Sequence, residues 1–179
     1  MTSEIGSSPR GATTAWDDEE APKGQDQLKL AGFFVGGGLY GIDIMRIKEV
    51  IQAAPYPTRP VPHAPPIIEG VITLRGVVIP VIDLRKRFNV AIDEAAVPFN
   101  KLIIVSVKGR IVGLKVDKVL GELRVDSEEV RPAPSMLSAA IGDDGEDFFS
   151  GVCKIDNDVV FVVNLDGLIG ASSGSDRSR

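Results

Sequence analysis

Few side chains in this sequence have the type and spacing for covalent chemistry. There is one histidine, His63, and one cysteine, Cys153. A thiol and an imidazole are the minimum for a nucleophilic dyad. Their settings point elsewhere. Cys153 alternates with Val152 and Lys154 in a run of strand character, which suits a small buried thiol. His63 sits in the proline-rich connection "PTRPVPHAPP" and reads as a residue of an extended loop. One His and one Cys cannot supply a four-ligand zinc site. The acidic run "GDDGED" (142–147) lacks the terminal Glu of a helix–loop–helix calcium site and reads as a solvated loop. "VGGGLYG" (35–41) is glycine-rich but lacks the Lys-Ser/Thr of a phosphate loop, so a hairpin turn is expected there. Asp43, Asp83, Asp117 and Glu49 are single acids near strand ends. These residues favour a binding module over an enzyme, without a metal or other cofactor.

One cation stands out. In "GVITLRGVVIPVIDLRKRF" (70–88) two apolar runs flank Arg75-Gly76. Gly76 explains a tight turn, because glycine tolerates positive φ. A hairpin does not need the arginine. A guanidinium offers five donors and can hold a carboxylate in a bidentate, charge-assisted geometry.

The elements that would position these residues are short strands. The chain has 179 residues, 44% hydrophobic but only 6% aromatic, with abundant Val and Ile, a bias toward β structure. "LKLAGFFV", "LYGIDI", "IKEVI", "GVITL", "VVIPVI", "LIIVSV", "RIVGLKV", "KVLGEL", "GVCKI" and "VVFVVN" read as strands. Short helices are expected at 65–69, 83–88 and 164–169. Residues 1–27 carry six acids and two bases, hence −4, and read as a disordered acidic tail holding the lone Trp16. Residues 171–179 read as a second tail. With the chain at −5 overall, the body is left at about −2, a poor partner for nucleic acid. No basic start with an apolar run marks a signal peptide, and no apolar stretch approaches a membrane span, so a soluble cytoplasmic protein without membrane insertion is expected.

The body repeats itself. Shifted by 81 residues, "GVITLRGVVIPVIDL" lies on "GVCKIDNDVVFVVNL"; shifted by 72, "GGLYGIDIMRI" lies on "GRIVGLKVDKV". Two similar subdomains are expected, about 28–92 and 101–170, with a groove where they meet. The repeat also acts as an internal control. Arg75-Gly76 corresponds to Asp156-Asn157, ordinary turn chemistry, and Glu49 corresponds to Gly121. The two unmatched charges, Glu49 and Arg75, leave three arrangements open: a mutual pair, a joint face toward a partner, or two independent surface charges.

"YGIDIMRIKEVI", "PTRPVPHAPPIIEGVITLRGVVIPVIDLRKRF", "GRIVGLKVDKVLGELRV" and "GVCKIDNDVVFVVNLDGLI" resemble the CheW family of chemotaxis coupling proteins, over about 28–170. The resemblance implies a mainly β fold of two SH3-like five-stranded barrels packed side by side with short helices. It implies a non-catalytic adaptor between the cytoplasmic tips of chemoreceptors (methyl-accepting chemotaxis proteins) and the regulatory domain of the histidine kinase CheA. Such a protein would join membrane receptor arrays through its partners. Carried onto this chain, it places Arg75, Glu49, Ile44, Ile47, Gly70 and Val71 at the receptor contact and Val112, Gly113, Leu114 and Asp117 at the kinase contact. Thr73 and Asn164 depart from the family's usual Asn and apolar residue, and the acidic tail lies outside its motif. These departures would suit a member wired to a specialised chemosensory system for surface motility or development. A CheW-like coupling protein with a receiver domain would carry further sequence, a kinase fragment would carry ATP-binding motifs, and a thiol hydrolase would depend on Cys153.

Overall fold

The computed structural model describes residues 26–133 and 148–173. Ten strands form, all at the expected places: β1 Gln27–Val35, β2 Gly38–Asp43, β3 Ile47–Gln52, β4 Gly70–Leu74, β5 Val77–Asp83, β6 Lys101–Val107, β7 Arg110–Val116, β8 Lys118–Asp126, β9 Phe149–Ile155 and β10 Asp158–Val163. Two helices follow β5 and β10: α1 Leu84–Arg87 and α2 Leu165–Ser173. Asp83 caps α1 by accepting from the Arg85 backbone N–H. No helix forms at 65–69. A single turn closed by the Ile68 N–H on the Pro65 carbonyl is what forms there.

The strands make two five-stranded sheets, ordered β8-β1-β2-β10-β9 and β3-β6-β7-β5-β4. The repeat is real in position. Strand by strand, β8, β1, β2, β10 and β9 occupy the places of β3, β6, β7, β5 and β4, down to the parallel pairings β2–β10 and β5–β7. The halves are not contiguous, however, which corrects the expected division at 92 and 101. Each sheet takes two strands from one repeat and three from the other. The exchange happens at the connections after β2 and β7, each of which carries the chain from one sheet to the other. A 3-10 turn, Ile44–Arg46, joins β2 to β3, and Asp117 alone joins β7 to β8.

This interleaving gives three apolar cores. Leu30, Leu39, Val125, Cys153 and Val160 fill one barrel. Ile72, Leu74, Ile79, Val81, Leu102 and Ile104 fill the other. The largest core lies between them, with Phe33 and Ile42 from one sheet meeting Ile103, Val105 and Leu114 from the other. Alternate residues of β6 thus serve different cores, as the period of two requires. Of the chain's seven Phe and two Tyr, Phe33, Tyr40, Phe88, Phe148, Phe149 and Phe161 cluster at this junction, with Tyr40 and Phe88 at 4.9 Å between centroids. Most of the scarce aromatics therefore join the barrels, while Phe99 stays exposed.

Candidate functional site

Arg75 and Gly76 both take positive φ, 51° and 82°, as the two-residue turn between β4 and β5 requires. Glycine meets that demand without cost, whereas an arginine there gives up about 1–2 kcal/mol. Its side chain turns to Glu49 on β3. Nη1 and Nη2 each donate to one carboxylate oxygen, the second at 3.1 Å. Hydrogen bonding from Arg75 lowers the Glu49 carboxyl below its ordinary range and raises the guanidinium in turn. β3 and β4 are the two edges of their sheet and share no ladder, so the pair closes the barrel across its open seam. Arg75 nevertheless remains 68% exposed, and Val77 and Val78 beside it are exposed as well. The counterpart turn manages with Asp156, also at positive φ, and makes no such pair among the described residues.

The other residues expected at the receptor contact divide. Ile44 and Ile47 are half-buried against the core between the barrels. Gly70 is buried, and a Cβ there would lie 2.3 Å from the Arg59 carbonyl oxygen. The close approach lets Arg59 and Val71 exchange two backbone hydrogen bonds of 2.8 Å, sealing the edge of β4. Arg131 and Val152 do the same for β9. Gly70 and Val71 thus support the Arg75 hairpin from below.

The residues expected at the kinase contact are mostly interior. Val112, Gly113 and Leu114 are buried in β7, which lies between β6 and β5 and is covered on both faces. Their side chains present no surface. Asp117 is half-buried and holds the crossover: its N–H donates to the Phe34 carbonyl, and its carboxylate accepts from the Gly36 N–H at 2.7 Å and from Arg85.

Sequence reasoning missed Arg85. It is 2% exposed, and its guanidinium donates to Asp83 (2.7 and 3.2 Å), Asn100 (2.9 Å) and Asp117 (2.7 Å). Burial pushes against its charge, but the hydrogen bonds to the two carboxylates outweigh this and raise its pKa. The signal was present in Asp83, two residues earlier, and in the acid on the one-residue crossover. At the repeat counterpart of Arg85, Asp166 pairs with Arg46 beside the other crossover, with the charges reversed.

The candidates for covalent chemistry stay apart from all this. Cys153 is buried in a barrel core, where desolvation, and secondarily Glu129, raise its thiol pKa away from reactivity. His63 is exposed in its loop. Among the described residues no group of three or more His, Cys, Asp or Glu could hold a metal ion. The Gly36-Gly37 stretch is a hairpin turn, as expected, and "GDDGED" and Trp16 lie outside the described residues. No described helix is long and apolar enough to cross a membrane.

The CheW-like domain family model matches residues 29–173. The chain belongs to the CheW-like domain family. The chemotaxis protein CheW of Rhizobium meliloti is 34% identical over 140 residues, 78% of this chain and 86% of that protein. That of Treponema pallidum is 29% identical over 143 residues, 78% and 81% of the two chains. The crystal structure of the scaffolding protein TtCheW from Thermoanaerobacter tengcongensis superposes with a TM-score of 0.66 at 32% identity, covering 79% of this chain and 91% of that one. The fold of two SH3-like barrels is thus the CheW-like fold, and Arg75, Arg85 and both crossovers lie inside the matched span.

Proposed function

We propose that this chain is a non-catalytic adaptor that couples the cytoplasmic tips of chemoreceptors to the regulatory domain of a CheA-type histidine kinase. It would work in the cytoplasm, held at receptor arrays by its partners. The observation that carries this reading, within a chemotaxis family, is Arg75. An arginine sits in a left-handed turn position that its repeat counterpart fills with ordinary turn chemistry, and it is held by Glu49 yet left exposed. A preorganised guanidinium with its free edge outward suits a helical partner bearing carboxylates or carbonyl ends. Ile44 and Ile47 would set the shape of the floor beside it, and Gly70 and Val71 the position of the hairpin. On the kinase side, Val112, Gly113, Leu114 and Asp117 would act from within, by shaping β7 and the crossover behind the barrel ends. Modest pairwise affinity suffices, because linked contacts in an array add through avidity.

Reconstitution tests the reading. Kinase autophosphorylation is followed with a receptor-tip fragment, with and without this chain. Receptor-dependent control of the kinase only when the chain is present supports the adaptor; identical kinase activity in both cases contradicts it.

A further inference from the structure

One end of the β3-β6-β7-β5-β4 sheet gathers cations, three of them without an ion-pair partner among the described residues. β6 turns into β7 at Lys108-Gly109, leaving Lys108 and Arg110 exposed. β3 begins beside the end of β6, with Ile47 opposite Val105, which brings the exposed Lys48 to the same end. β5 runs parallel to β7, so the Arg75-Gly76 turn lies there too. Arg75 is neutralised by Glu49 and Arg46 by Asp166. Among the described residues, Lys48, Lys108 and Arg110 have no carboxylate within ion-pair distance. Three uncompensated positive charges at one barrel end are notable on a chain of net charge −5.

The chain enters its fold beside this end. The first residues of β1, from Gln27, form one wall of a cleft of about 400 Å³, and the Met45-Arg46 crossover forms another. Arg46 Nε donates to the Ser106 carbonyl at 3.2 Å, two residues before Lys108. The cleft therefore lies between the entry point and the cationic end. Met45 stands on its rim, 84% exposed. Just upstream the sequence reads Trp16-Asp17-Asp18-Glu19-Glu20, one large ring followed by four carboxylates. The six steps from Glu20 to Asp26 span up to ~20 Å and the ten from Trp16 up to ~35 Å, enough to reach across one barrel end.

We propose that Trp16–Glu20 docks on this end of its own chain, with the four carboxylates against Lys48, Lys108 and Arg110 and the indole in the cleft against Met45. A tethered segment has an effective concentration on the order of millimolar, so weak attraction is enough. The attraction is between surface charges and is screened by salt. The docked segment lies next to Arg75, but its docking does not depend on what Arg75 binds.

Trp16 is the chain's single tryptophan, so its fluorescence reports this segment alone. In the full-length chain at low salt, Trp16 emits to the blue of a free indole. Acrylamide quenches it at least about two-fold less efficiently than in the Asp17→Asn/Asp18→Asn/Glu19→Gln/Glu20→Gln variant, or in the native chain at about 1 M salt, where the Debye length is ~3 Å. Lys48→Glu/Lys108→Glu/Arg110→Glu removes the protection while circular dichroism stays native. The four-residue tail variant covers the case in which the body variant misfolds. Native emission and quenching equal to those of the tail variant overturn the proposal, and so does protection that survives the triple reversal in a folded protein.

Discussion

Arg85 Nη1 donates to Asp117 Oδ1 at 2.7 Å, and Asp117 alone forms the second of the two crossovers between the sheets, from β7 to β8. The helix that follows β5 is thereby tied to the strand exchange that makes two repeats into two interleaved barrels. The same guanidinium also satisfies Asp83 and Asn100, both buried.

Arg85→Met leaves Asp83 and Asp117 without their shared counter-charge. Removing one member of a buried pair costs about 3–5 kcal/mol, against about 1 kcal/mol or less for an exposed pair. Urea unfolding is expected to show the larger loss for Arg85→Met and the smaller one for Arg46→Met, whose partner Asp166 is half exposed. Equal losses would show that burial does not set the worth of the clamp.

Gly70→Ala places a Cβ 2.3 Å from a backbone oxygen, which cannot swing aside. A destabilisation of about 1–3 kcal/mol is expected, as for overpacking elsewhere. Gly113→Ala meets nothing closer than 3.5 Å and is expected to change stability by less than about 1 kcal/mol. Thermal melts of the two variants decide it, and a tolerated Gly70→Ala would mean that the Arg59–Val71 bridge is not what supports the hairpin.

Glu49 has its pKa lowered from the ordinary 4.5 by the hydrogen bonds from Arg75. A depressed carboxyl contributes its stability above the unfolded value and loses it as pH falls through the folded one. The pair therefore holds at neutral pH and opens only in acid, below the usual carboxylate range. Carboxyl-detected NMR titration is expected to place Glu49 below 4.5, and Arg75→Asn to move it back up. A Glu49 midpoint that ignores the arginine would show the pair to be absent in solution.

Strand positions were legible because short runs rich in Val, Ile and Leu lie between turn residues. The repeat was legible for the same reason. Which strands share a sheet was not, because that depends on connections of one to three residues, and their direction is invisible in a pattern of apolar positions. β7 shows the same limit. "RIVGLKV" reads as a strand, but its central place between two cores, covered on both faces, is what removes Val112, Gly113 and Leu114 from the surface. Arg75 stood out as a cation its turn does not need, and comparison of the two repeats added Glu49, since each broke a match between the halves. Arg85 was missed because Asp83 and Asp117 mark it only once the crossover brings both acids around it.

Arg75→Asn offers the most direct measurement. Asparagine tolerates the left-handed turn conformation, so the hairpin is kept while the guanidinium is lost. Calorimetry would follow binding of the variant to a receptor-tip fragment and, separately, to the CheA regulatory domain. The adaptor account predicts receptor binding weakened by at least about ten-fold, roughly 1.4 kcal/mol, with kinase binding and the circular dichroism spectrum unchanged. Receptor affinity equal to that of the native chain would contradict it and leave Arg75 as no more than the latch on a barrel seam.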